Sequence, residues 1–120
     1  MFSERLLDHF QNPRNVGRLD EPAIVIEVSN PICGDELTLS ARVEEGRIAE
    51  VRYQTRGCTA SIAAGSALTE LLHGRTMDEA AAVTEPQIEE AVGGLPAASK
   101  HAARLALDAA RALANAAATT

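Results

Sequence analysis

Asn30-Pro31-Ile32-Cys33-Gly34-Asp35 and Arg56-Gly57-Cys58-Thr59-Ala60-Ser61 bracket the stretch whose reading decides the fold. Both cysteines of the chain sit there, each beside a glycine. Between them Leu37, Leu39, Ala41 and Val43 alternate with Thr38, Ser40, Arg42 and Glu44, the period-two pattern of a half-buried strand. Glu45-Gly46 reads as a turn, after which Ala49, Val51 and Tyr53 alternate with Glu50, Arg52 and Gln54. A connection this short makes the two strands antiparallel. The hairpin carries Cys33 in a loop and Cys58 where a strand gives way to a helix. If the two ends meet, both sulfurs and Asp35 face one point.

Upstream, Ile24, Ile26 and Val28 alternate with Val25, Glu27 and Ser29 and supply a third strand of the same meander. The polar alternate face implies that helices cover one side of the sheet. Ser3 caps a short helix through Phe10, which Asn12-Pro13-Arg14-Asn15-Val16-Gly17 ends in an ordered loop. Downstream of Gly57 the period changes: Ala64, Ala67, Leu68, Leu71 and Leu72 fit one helical face, and His73-Gly74 ends it. Thr76-Met77-Asp78-Glu79 and Thr84-Glu85-Pro86-Gln87 are capping boxes that each start a short helix, the second stopped by Gly93-Gly94. The last helix runs from Ser99 to about Ala117 by the same pattern. Lys100, Arg104, Asp108, Arg111 and Asn115 form its single polar stripe, so nearly all the rest is expected to be buried.

The expectation is one α+β domain over residues 1–120, a three-stranded antiparallel sheet packed on one side by helices. Hydrophobic residues at 46% and charged residues at 23% are ordinary for a globular chain of 120 residues. With three aromatics (Phe2, Phe10, Tyr53) the core must be aliphatic and alanine-rich. A formal charge of -6 argues against nucleic acid and against an anionic membrane surface. Two cysteines make no disulfide scaffold, and neither a secretory leader nor an apolar run of membrane-spanning length is visible. The expected compartment is the reducing cytoplasm, where thiols serve metals or redox chemistry.

Four residues are candidates for that chemistry. Cys58 at a helix start lies in the field that stabilises a thiolate, although a small buried hydrophobe at a tight turn fits the position equally well. Cys33 and Asp35 can offer a sulfur and an oxygen to one cation, but Gly-Asp is also a common turn pair. His101, at the start of the last helix, alone reads as a partly exposed histidine. Together, Cys33, Asp35, Cys58 and His101 would suit tetrahedral zinc or mixed ligation of an iron–sulfur cluster. His9 and His73 read as structural. A Cys33–Cys58 redox couple lacks a Cys-x-x-Cys motif, and Ser61 and Ser66 have no recognisable base for hydrolysis.

Asp8-His9-Phe10-Gln11-Asn12-Pro13-Arg14-Asn15-Val16-Gly17, Asn30-Pro31-Ile32-Cys33-Gly34-Asp35, Gly57-Cys58-Thr59-Ala60-Ser61 and Lys100-His101 occur in that order. Jointly they resemble the IscU/NifU N-terminal family of iron–sulfur cluster assembly scaffolds, over nearly the whole chain. The resemblance implies the same α+β fold (SufE/NifU-type). It implies a [2Fe–2S] cluster or Zn2+ held by Cys33, Asp35, Cys58 and His101, with iron bound for transfer rather than for catalysis. Implied partners are a cysteine desulfurase, an iron or electron donor and acceptor apoproteins. A cluster short of thiolates can be shared between chains, which is compatible with a homo-oligomer. The runner-up is a degenerate relative that holds zinc or no metal and acts as an interaction protein. It is motivated by Ala102, which stands where the family has a third cysteine, a main acceptor of persulfide sulfur. Leu95-Pro96-Ala97-Ala98-Ser99-Lys100 is likewise a degraded form of the family's chaperone-recognition motif Leu-Pro-Pro-Val-Lys. The spacing from Cys58 to His101 leaves no room for the long insertion of the zinc-containing SufU branch.

Overall fold

The computed structural model describes residues 2–31 and 34–118. Three strands, β1 (Ile24–Asn30), β2 (Asp35–Glu44) and β3 (Arg47–Arg56), form one antiparallel sheet in the order β1-β2-β3. Glu45 and Gly46 both take positive φ (52° and 77°), the two-residue turn that matches strand twist, and Glu44 pairs with Arg47 across it. Asn30 pairs with Asp35 and Glu36 with Arg56. The β1–β2 connection and the exit of β3 therefore lie at the same end of the sheet.

The helices are α1 (Glu4–Gln11), α2 (Thr59–Leu72), α3 (Met77–Ala81), α4 (Glu85–Ala91) and α5 (Lys100–Ala118), with a single 3-10 turn at Ala97–Ser99 leading into α5. Their starts follow the sequence chemistry. The Ser3 hydroxyl accepts the Leu6 N–H at 3.0 Å, and both capping boxes close reciprocally, Thr76 with Glu79 and Thr84 with Gln87. α5 packs on β1 and β2 while α2 packs on β3 and α5. The core between them is Leu37, Leu39, Ala41, Val51 and Tyr53 from the sheet with Ala60, Ala64, Leu68, Ala106, Ala110 and Leu113 from the helices. The polar stripe of α5 is where it meets solvent: Lys100, Arg104, Arg111 and Asn115 are exposed, and Arg104 Nε donates to Asp108 Oδ1 at 3.1 Å. Among the described residues, no helix is long and apolar enough to cross a membrane.

Two features depart from the expected picture. α2 is buried almost all round from Ala60 to Thr69, not along one face. It lies between β3, α1 and α5, and its Ala, Gly and Ser side chains let those neighbours approach. At Gly65 an added Cβ would stand 2.5 Å from the Tyr53 ring. Neither the β3 edge nor the far side of the sheet is bare. Val16 bridges Tyr53 in parallel, with Tyr53 N–H donating to Asn15 O and Gly17 N–H to Tyr53 O, both at 2.9 Å. The Asn12–Gly17 loop thus occupies the outer edge of β3, which would otherwise present unpaired backbone groups. Beyond it the Leu19 N–H donates to the Ser40 hydroxyl at 3.0 Å, which buries that serine on the nominally polar face.

Candidate metal centre

At the end of the sheet where β1 turns into β2 and β3 runs out, three donor atoms converge. Asp35 is the first residue of β2, delivered by a turn in which Gly34 (φ 75°) donates its N–H to Asn30 O at 2.7 Å. Cys58 is the N-cap of α2, with φ -76° and ψ 167°, and its carbonyl accepts the Ile62 N–H at 3.1 Å. Its side chain makes no capping hydrogen bond, so the sulfur is free to face the sheet end. His101 is the second residue of α5. Cys58 Sγ lies 3.5 Å from Asp35 Oδ2 and 3.5 Å from His101 Nε2, and His101 Nε2 lies 3.5 Å from Asp35 Oδ2.

That triangle can be compared with what an ion requires. With metal–sulfur bonds of about 2.3 Å and metal–nitrogen or metal–oxygen bonds of about 2.0–2.1 Å at tetrahedral angles, the edges to sulfur are about 3.6 Å and the nitrogen–oxygen edge about 3.3–3.4 Å. The observed edges of 3.5 Å lie within about 0.2 Å of those values, so the three donors could occupy three corners of one tetrahedron. The donor set of one thiol, one imidazole and one carboxylate suits zinc or iron. Asp35 is buried, His101 is partly exposed and Cys58 is exposed, so the carboxylate forms the floor of a site open on its sulfur side. Cys33, the fourth residue singled out from the sequence, lies outside the described residues, as does any pairing of it with Cys58.

Two neighbours hold the floor in place, and the sequence reading missed the role of both. Ser61, one turn along α2 from Cys58, is 1% exposed and donates its hydroxyl to Asp35 Oδ2 at 2.6 Å. Gly57 backs the same carboxylate: an added Cβ would lie 2.6 Å from both Cγ and Oδ1 of Asp35. The spacing of Cys58 and Ser61, three apart at a helix start, was the available signal for the first. Nothing local signals the second, because it depends on where β2 begins.

The other histidines are placed as expected. His9 is buried, with Nδ1 2.7 Å from Ser66 Oγ and Nε2 3.5 Å from Glu70, and burial pulls its pKa down. Since Ser66 Oγ already accepts the Arg14 N–H at 2.9 Å, its own proton is available to His9 Nδ1. His73 is the exposed C-cap of α2. Arg56, two residues before Cys58, is exposed, and Lys100 is ion-paired with Glu89. Ala102 is 1% exposed on the core side of α5.

Comparison with known proteins identifies the family and the fold. The family described as NifU-like N terminal domain matches residues 1–118. A relative named iron-sulfur cluster assembly scaffold protein IscU 1, from Archaeoglobus fulgidus, is 45% identical over 111 residues, covering 92% of this chain and 72% of its own length. The IscU scaffold of Azotobacter vinelandii is 40% identical over 115 residues, 92% of this chain and 89% of its own. Among solved structures, a hypothetical protein determined at 2.3 Å superposes with a TM-score of 0.74 at 25% identity, covering 92% of this chain and 94% of its own. The N-terminal part of a nitrogen-fixing NifU-like protein from Brucella abortus gives a TM-score of 0.64 at 23% identity, covering 98% and 83%, a likeness of fold.

Proposed function

This chain belongs to the NifU-like N-terminal domain family, and on that footing we propose that it is a scaffold on which an iron–sulfur cluster is assembled and then handed on. The observation that carries the reading is the convergence of Asp35 Oδ2, Cys58 Sγ and His101 Nε2 at mutual distances of 3.5 Å. Those three residues hold iron, zinc or the cluster cargo, and Cys33 is the fourth ligand by its place in the family motif. The relatives' names favour a working scaffold over a degenerate interaction protein.

The chemistry of the donors fits cargo better than a resident cofactor. Thiolate and imidazole are good ligands for iron, whereas a hard carboxylate oxygen is a poorer match for iron–sulfide and leaves one corner exchangeable. The exposed sulfur side gives incoming and outgoing partners access. Those partners are a cysteine desulfurase, an iron or electron donor and acceptor apoproteins. With Ala102 in place of the family's third cysteine, Cys58 or Cys33 must take the sulfur. The receiving thiolate attacks the terminal sulfur of the desulfurase persulfide; a new S–S bond forms as the old one breaks, and the desulfurase thiolate leaves.

Anaerobic reconstitution with ferrous iron and sulfide, followed by visible spectroscopy and metal analysis, tests this. Sulfide-to-iron absorption with stoichiometric iron is expected for the wild type and not for Cys58→Ala. Metal binding indifferent to that substitution would overturn it.

A further inference from the structure

We infer that Ser61 is a positioning residue of the metal centre, acting through Asp35 and not through Cys58; the inference rests on the metal-binding reading above. Ser61 Oγ touches two of the three donors, Asp35 Oδ2 at 2.6 Å and Cys58 Sγ at 3.4 Å. A serine hydroxyl has one proton to give. The short contact identifies where it goes: to the carboxylate, leaving the serine oxygen as an acceptor toward the sulfur. An acceptor does nothing to favour a thiolate, so the influence of Ser61 runs to the oxygen ligand.

That oxygen is the one that completes the donor triangle. Asp35 Oδ2 is 3.5 Å from both Cys58 Sγ and His101 Nε2, and it is the atom the hydroxyl holds. A carboxylate oxygen has two lone-pair directions, so one bond to Ser61 leaves one for an ion. Gly57 closes the other side, its Cα backing Asp35 Cγ and Oδ1 so tightly that no Cβ fits. Between Gly57 and Ser61 the carboxylate has one orientation, with Oδ2 toward the sulfur and the imidazole. Ser61 is 1% exposed, so water does not substitute for it. Outer-sphere partners of this kind fix a ligand before the metal arrives.

The test is a double-substitution cycle on the full chain, with zinc affinity read by competition with a chromophoric chelator. Ser61→Ala raises the zinc Kd about 10–100-fold. Ser61→Ala in an Asp35→Ala background causes no further loss, because the group it positions is gone. Ser61→Thr, which keeps a hydroxyl on the same Cβ, binds within about threefold of the wild type, and separates loss of the bond from any loss of folding in the alanine variant. Wild-type affinity in Ser61→Ala would overturn the inference, as would equal factors for that substitution with and without Asp35. Absence of zinc binding by the wild type would instead overturn the metal-binding reading itself.

Discussion

Replacing Gly57 by alanine perturbs the metal centre without touching a ligand. The added Cβ stands 2.6 Å from Asp35 Cγ and Oδ1 and 3.0 Å from Asp35 Cβ. Ordinary contact begins at 3.4 Å, so the carboxylate must retreat by about 0.8 Å, or the backbone at the end of β3 must do so. Binding sites tolerate displacements of about 0.5 Å before productive geometry is lost. The move also disturbs the hydrogen bond that Oδ2 accepts from the Ser61 hydroxyl at 2.6 Å. Loss of an oriented ligand of this type costs about 10–100-fold in metal affinity, which at 1.4 kcal/mol per tenfold is about 1.4–2.8 kcal/mol. A chelator competition titration of Gly57→Ala against wild type measures it, with far-UV circular dichroism to show that both chains are folded. If Gly57→Ala binds zinc as tightly as the wild type, the claim that Asp35 is clamped in a ligating pose is wrong.

Three further outcomes are expected. Gly65→Ala should lower the melting temperature, because overpacking against the buried Tyr53 ring 2.5 Å away costs about 1–3 kcal/mol and outweighs the gain in helix propensity; a stabilised variant would contradict it. Burial lowers the pKa of His9, so it binds a proton less readily folded than unfolded, and stability should fall as pH drops below the unfolded value of 6.5 and level off below the folded one. Denaturant titrations from about pH 8 to about pH 5 should show the fall in wild type and a smaller one in His9→Asn. Tyr53 is pushed up to about 12 by burial, from 10.0, while its hydroxyl donates to Ile62 O at 2.8 Å. Its contribution is whole below the unfolded value and is lost as pH rises toward the folded one, so Tyr53→Phe should blunt alkaline unfolding.

Where the sequence was legible, the reason is local. The alternation from Leu37 to Glu44 and from Ala49 to Gln54 follows from a two-residue side-chain period, and both strands extend a little beyond it. Thr76 and Thr84 were legible as helix starts because a capping box lies within four residues. Cys58 was legible as a helix-start thiol because the side-chain period changes from two to helical just past Gly57. The pairing of Asp35 with His101 was not, since α5 is fixed to β1 and β2 by packing that no local pattern encodes; the family motif supplied it. Gly57 reads as punctuation and Gly65 carries no sequence signal of its own, yet each is needed where another element comes too close for a Cβ. The Asn12–Gly17 loop, legible as a break, gives no sequence sign that it will border β3.

The most direct test is X-ray absorption at the metal edge of the zinc-loaded chain, compared with Asp35→Ala and His101→Ala. A four-coordinate shell mixing sulfur with nitrogen and oxygen near about 2.0–2.3 Å is the result predicted, with a light-atom scatterer lost in each variant. An all-light, six-coordinate shell of loosely held water, identical in all three proteins, would contradict it.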